Sequence, residues 1–287
     1  MTDAARARAA DAAFCADLVR ASDFDRYAAT LFADAEARRG LLALYAFNVE
    51  IARVRGQAEQ PLAGEIRLQW WTDCLSGLAH GDAEANPVAA ELLRAIEVFA
   101  LPADALVRLV EAHQFDLYDD PIASEDELNG YLDATAGALF RLAGQIFARM
   151  QEPTMEASRE AGRAFGLLRI MEIVGLTSSR GQLYLPLEWL EQSGADAADL
   201  FAGRETPAMR TLLDESCRRA RLHLDAARAA IAESPAPRAF LPLALIDARL
   251  RRIESPAFQP FTPEPPRSNF ATLWTLWRAS RRRPFRR

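Results

Sequence analysis

Lysine is absent from this chain of 287 residues, and all 34 basic side chains are arginine. In so alanine-rich a chain this follows genome composition rather than thermostability or phosphate chemistry. Acids outnumber bases, giving a formal net charge of -6 and a pI near 5.3, which argues against nucleic acid as a partner and leaves room only for local basic patches. Cysteine is scarce. Cys15, Cys74 and Cys217 are far apart, odd in number and without metal-ligand spacing, so buried free thiols in a reducing compartment are expected. No run of about 18 apolar residues occurs, so no membrane-spanning helix is expected. The polar, alanine-rich N-terminus lacks the apolar core of a signal peptide, which points to a cytoplasmic location. His80, His113 and His223 stand alone, with neither metal nor triad spacing, and read as structural. Also missing are a glycine-rich phosphate loop, a nucleophile motif, an internal repeat and any convincing alternating strand.

What remains is helix. Half the residues are hydrophobic, enough for one large core. Apolar side chains recur at three- and four-residue spacing along most of the chain, interrupted by proline and asparagine–proline breaks. Helix starts are marked by capping residues at Ser22 or Asp23, Asp34, Ser124 (with acids behind it) and Thr206-Pro207. The segment ELNGYLDATAGALFRLAGQIFARM reads as one long helix with small residues at its middle, Ala134, Ala136, Gly137 and Ala138. The expected architecture is all-α and single-domain.

The stretch from Ala161 to Pro186, AGRAFGLLRIMEIVGLTSSRGQLYLP, organises the rest. Ala164, Leu167, Leu168, Met171 and Val174 form one apolar stripe. The helix is expected to stop near Gly175, with Thr177-Ser178-Ser179 as a turn before Arg180-Gly181. A long helix, a basic loop and then RGQLYLP resemble the squalene/phytoene synthase family of head-to-head prenyltransferases. DRYAATLF, ARRGLLALYAFN, QWWTDCLSGLAHG, NPVAAELLRAI and HQFDLYDDPIASEDELNGYLDATAGALFRL follow in the order and spacing of that family. The resemblance implies an isoprenoid-synthase-like helical bundle around a central cavity that holds prenyl chains.

Head-to-head coupling begins by ionising an allylic diphosphate, whose leaving charge Mg²⁺ neutralises. The family holds these ions with two acid motifs on facing helices, acids four residues apart on one face. Aligned on Tyr45-Ala46-Phe47, the first motif falls on Ala52, Arg53 and Gly56. Aligned on Arg180-Gly181 and Tyr184-Leu185-Pro186, the second falls on Ile173 and Thr177. None is a carboxylate, and Arg53 with Arg55 would repel a cation, so no metal ligand is assigned. Nearby acids that could substitute are Glu50, Glu172, Asp116, Asp119 and Asp120. Glu50 and Glu172 are also placed to pair with Arg53 and Arg169 as a structural cluster in the old metal site. The family's basic positions fall on Arg38, Arg39 and Arg180. These, with Tyr45, Glu50, Glu172 and Tyr184, are the candidates for contact with an anionic substrate or lipid. For Arg38 and Arg39 the competing expectation is solvation or a salt bridge to Glu36, Glu50 or Glu172. Trp70 and Trp71 read as core.

AFNVEIARV in place of the first acid motif resembles the branch of the family that contains a mitochondrial assembly factor of respiratory complex I. The alanine- and arginine-rich, lysine-free chain, in which no mitochondrial presequence is read, looks like a bacterial relative, and the resemblance implies a non-catalytic protein without cofactor, with subunits of respiratory complex I or a prenyl or lipid ligand as partners. The alternative is a Mg²⁺-dependent head-to-head prenyltransferase of phytoene or squalene synthase type. Residues 1–267 form the expected domain, and 268–287 an aromatic and basic tail. There Trp274, Trp277, Arg278 and Arg281 are candidates for peripheral contact with the inner face of the cytoplasmic membrane.

Overall fold

The computed structural model describes residues 3–58, 60–78, 83–148, 155–262 and 268–285. His80, Gly81, Arg286 and Arg287 lie outside them. Helix α1 (Asp3–Ser22) is followed by α2 (Phe24–Thr30), whose N-cap is Asp23. Asp34 caps α3 (Ala35–Ala52), accepting from the Glu36 and Ala37 amides. After α4 (Val54–Gln57), α5 (Pro61–Leu75) starts with its proline in the first turn, where no amide is required. Asn86 caps α6 (Pro87–Phe99), and α7 (Ala103–Ala112) follows. Ser124 caps α8 (Glu125–Leu132), and the Glu127 carboxylate accepts from the Ala123 amide at 2.8 Å, a near variant of the expected capping box.

The helix expected to run on from there does so through Ala148, with one π turn set into its middle. Between α8 and α9 (Ala138–Ala148), residues Asp133–Gly137 form a π turn. Its cause is the next helix, α10 (Met155–Glu172), which presses backbone against backbone. A Cβ on Gly162 would lie 2.3 Å from the Gly137 nitrogen. The small residues in the middle of the segment permit that approach, and the extra residue per turn aims Thr135 and Ala136 at the interior.

The stripe predicted on α10 is fully buried. Its end differs from expectation: α10 stops at Glu172, and Val174–Ser178 forms a separate short helix, α11. Ile173 breaks the run at φ -106° and ψ 9°. The displaced helix tucks beneath the proline-rich segment, where a Cβ on Gly175 would meet the Pro260 carbonyl oxygen at 2.4 Å. Gly181 then takes φ +78°, a left-handed conformation that glycine adopts without strain and that turns the chain into the extended run ending at Pro186.

Short helices α12 (Leu187–Ser193) and α13 (Ala197–Phe201) lead to α14 (Pro207–Ile231), capped by Thr206 as its sequence predicts. Helix α14 packs along α10, burying Met209, Leu212, Leu213, Cys217, Ala220, Leu224 and Ile231. A 3₁₀ segment, Pro237–Leu245, precedes α15 (Ile246–Ile253), and the chain closes on α16 (Asn269–Ser280). No strand occurs among the described residues, so the fold is all-α. All three cysteines are buried free thiols.

The approach of α10 to the π turn sets a stability prediction. Gly162→Ala places a methyl into backbone that cannot yield as a side chain would, and should cost about 1–3 kcal/mol in urea unfolding. Gly130→Ala, on α8 with nothing within 4 Å of the new methyl, should instead stabilise by about 0.5–1 kcal/mol. Equal effects at the two sites would contradict the packing described.

Candidate functional site

The helices carrying Tyr45, Gly137 and Leu168 flank one cavity of about 530 Å³, a size suited to a small ligand. Its wall contains all five positions that align with the acid motifs: Ala52, Arg53 and Gly56 on one side, Ile173 and Thr177 on the other. Leu132, Phe165, Ile170 and Leu176 supply apolar lining. Five arginines also line it, Arg26, Arg53, Arg55, Arg169 and Arg180, against a single carboxylate, Asp116.

Most of these cations are tethered. Arg53 pairs with Glu50, and Arg169 donates to Glu172 at 2.9 Å, so both pairs anticipated from the sequence form. Arg55 is held by Asp119 at 2.9 Å. Arg26 is buried, bonded to Asp23 at 2.7 Å, with its guanidinium 4.6 Å from the Phe165 ring centre and 5.6 Å from that of Tyr45. Burial alone would raise the Asp23 carboxyl, but Arg26 and Arg169 outweigh it and hold the group below its usual range. Arg180 is exposed, makes no ion pair among the described residues, and lies over Gly56, where a Cβ would sit 3.3 Å from its Nη1.

Asp116 is the hub of the wall opposite. It is buried, and its Oδ1 accepts from the Tyr184 hydroxyl at 2.7 Å and the Tyr131 hydroxyl at 2.9 Å. Its Oδ2 meets His113 Nδ1 at 2.6 Å, and its carbonyl accepts from Gln182 at 2.8 Å. The His113 Nε2 and the Nε atoms of Arg53 and Arg55 are buried without hydrogen-bond partners. Burial first, and then the Asp116 charge, push the Tyr131 and Tyr184 phenols well above their ordinary range.

The sequence candidates divide accordingly. Arg180 and Tyr184 line the cavity. Tyr45 stands behind Arg26, and Glu50 and Glu172 hold lining arginines from outside the wall. Arg38 and Arg39 do not reach it. Arg38 donates to the carbonyls of Thr30 and Leu31, capping α2, and Arg39 grips Glu91 through two bonds of 2.6 Å. These contacts form because α3 turns that edge toward α2 and α6. His113, expected to be structural, is buried and bonded to Asp116, and it also lines the cavity; its spacing did not reveal that place, because the wall it joins is completed through Asp116 by Tyr131 and Tyr184, far along the chain. His223 does stay remote, paired with Glu160 at 2.6 Å. Trp71 is core, edge-on to Phe47, whereas Trp70 is half-buried and borders a shallow surface groove.

The donor set does not fit Mg²⁺, which takes several oxygens in near-octahedral array. The five aligned positions offer one side-chain oxygen, the Thr177 hydroxyl, and it already donates to the backbone of its own turn. Glu50, Glu172, Asp116 and Asp119 are each engaged by cations or hydroxyls. No group of three or more His, Cys, Asp or Glu suited to a metal occurs among the described residues. The arrangement can instead hold an anion, presenting guanidinium forks and two orphaned Nε donors beside an apolar slot.

Comparison with known proteins follows the same lines. Residues 19–278 match the profile of the squalene/phytoene synthase family. The chain is 27% identical over 274 residues to "NADH dehydrogenase (ubiquinone) complex I, assembly factor 6" of Mus musculus, covering 95% of this chain and 82% of that protein. It is 31% identical over 229 residues to the phytoene synthase of Thermus thermophilus, covering 75% and 76%. The squalene synthase structure from Alicyclobacillus acidocaldarius superposes with a TM-score of 0.68 at 21% identity over 94% of each chain, a likeness of fold.

The Asp116 hub makes a measurable prediction. Asp116→Asn removes the charge but keeps an acceptor, so phenolate absorbance during alkaline titration should shift to lower pH for Tyr131 and Tyr184. Their burial remains, so they should still ionise above an exposed tyrosine, at about 10. An unchanged titration would mean the carboxylate does not face these phenols.

Proposed function

The chain belongs to the squalene/phytoene synthase family, and we propose that it is a non-catalytic member that keeps the family cavity as a metal-free anion pocket and supports assembly of respiratory NADH:quinone oxidoreductase. The observation that carries the first half is the replacement of the acid motifs by Ala52, Arg53, Gly56, Ile173 and Thr177 in a cavity wall that also presents Arg55 and Arg180. Ionising an allylic diphosphate requires the leaving charge to be neutralised where it develops. Here the wall can attract the diphosphate but offers no carboxylate array to bring Mg²⁺ to it. A guanidinium can bind phosphate oxygens through two parallel bonds, yet its donors are fixed in place by Glu50, Asp119 and Glu172 rather than moving with a leaving group. The pocket therefore suits retention of an anionic prenyl or lipid ligand.

The second half rests on relatives. The complex I assembly factors of mouse and human cover 95% and 92% of this chain. The competing reading, Mg²⁺-dependent head-to-head coupling, draws on the 31% identity to the Thermus phytoene synthase.

Incubation with farnesyl or geranylgeranyl diphosphate and Mg²⁺ should release no diphosphate. Calorimetry with inorganic pyrophosphate should show binding that persists in chelator. Arg53→Gln with Arg180→Gln should weaken that binding at least about tenfold, two charge-assisted contacts of about 1.5–3 kcal/mol each being at stake. Turnover, or tight binding only when Mg²⁺ is supplied, would overturn the non-catalytic reading. Membranes from cells lacking the chain should have reduced NADH:quinone oxidoreductase activity, and normal activity would remove the assembly role alone.

A further inference from the structure

Helix α16 docks by one edge. Leu276 is fully buried and Thr272 nearly so, against the 3₁₀ segment and α2, and Phe285 tucks in beyond the helix end. The other edge carries Phe270, Trp274 and Trp277 at spacings of four and three, which places them on one helical face. They are 73%, 49% and 38% exposed. Their rings stack in a ladder, with centroids 6.5 Å apart at 15° and then 4.9 Å apart at 22°. Arg281 continues it, its guanidinium 4.2 Å from the Trp277 ring centre.

Three large aromatics held in water do nothing for the fold, since Leu276 and Thr272 already anchor the helix. The charge beside them says what covers them. Arg278 in the last turn of the helix and Arg281, Arg282 and Arg283 just past its end lie within six residues, and residues 268–287 contain no acid, in a chain of net charge -6. None of these four arginines forms an ion pair among the described residues. Tryptophan favours the boundary between head groups and acyl chains, and arginine is drawn to anionic head groups. No helix among the described residues is long and apolar enough to cross a membrane, so insertion would be confined to this boundary.

We propose that α16 is an interfacial anchor: its aromatic ladder enters the head-group boundary of an anionic bilayer while the arginines after it contact lipid phosphates. The anchor is independent of what the cavity holds. Both parts are required, because the ladder supplies apolar burial and the arginines supply preference for negative lipid.

Flotation of the full chain with vesicles tests this, using phosphatidylcholine alone and phosphatidylcholine mixed with phosphatidylglycerol. The chain should float with the mixed vesicles, and binding should fall as salt rises. Trp274→Ser with Trp277→Ser should reduce binding at least tenfold. Arg278→Gln, Arg281→Gln, Arg282→Gln and Arg283→Gln together should abolish the preference for the anionic vesicles, at about fivefold per residue. These substitutions are at exposed positions and should leave thermal unfolding unchanged. As a check on the unaltered protein, brominated anionic lipid should quench its tryptophan fluorescence. Absence of flotation, equal binding of either variant, indifference to salt or absence of quenching would each overturn the proposal. So would a dimer in sedimentation that the tryptophan variant loses, since the ladder would then be covered by a second copy.

Discussion

A guanidinium taken out of water must be met by a carboxylate, and the wall of this cavity is built on that requirement. Arg26 and Arg249 are buried, and Arg169 is bonded to Glu172, with Asp23 and Asp25 also acting on its charge. Asp23 answers Arg26, Asp25 answers Arg249, and Glu172 sits between Arg169 at 2.9 Å and Arg249 at 3.8 Å. The network ties α2, α10 and α15 together at the base of the pocket. Removing one partner from such a pair costs about 3–5 kcal/mol, because the survivor stays buried and uncompensated. The carboxylates near the cavity are therefore committed to holding the architecture.

That commitment reverses the electrostatics of the site. In the arrangement implied by the family resemblance, acids at the cavity mouth gather cations, and the cations gather diphosphate. In this chain the arginines face the cavity directly and the acids stand behind them. Glu50 behind Arg53, Asp119 behind Arg55 and Glu172 behind Arg169 repeat one device three times. Each acid fixes a guanidinium, and for two of the three, Arg53 and Arg55, the buried Nε is left without a hydrogen-bond partner. Asp116 works in the opposite sense, absorbing two tyrosine hydroxyls and His113 Nδ1 so that only His113 Nε2 remains unpaired.

Much of this was legible in the sequence, where the signal is local. Asp34, Ser124 and Thr206 announced their helices because capping is a contact across two or three residues. The stripes on α10 and α14 were legible because periodicity is a property of one element. Glu50–Arg53 and Arg169–Glu172 were legible for the same reason, being three residues apart. The π turn was not, since it answers pressure from Gly162 on another helix. Nor was the place of His113 in the cavity, nor the capture of Arg39 by Glu91 across 52 positions. Arg38 and Arg39 aligned with the family's basic pair, but alignment fixes a position along a helix and not the neighbour that claims its side chain.

The arginine-only composition, read in the sequence as a matter of genome bias, acquires structural use once the fold is known. A planar guanidinium can pair and stack at once, which an ammonium group cannot do equally well. Arg26 bonds Asp23 while lying over Phe165, and Arg219 bonds Glu125 while lying over Trp189. At the C-terminus Arg281 stacks on Trp277 with no acid beside it, so the same geometry there leaves its charge uncompensated. The pocket and the tail are thus two positive regions on a negative chain, and they differ in one physical respect. In the pocket, acids behind the arginines fix the geometry and hold most of the guanidiniums at set positions, which favours a defined small anion. Around the end of α16 one aromatic face holds Arg281 and no ion pair fixes the arginines among the described residues, which favours a surface whose negative charges are many and mobile.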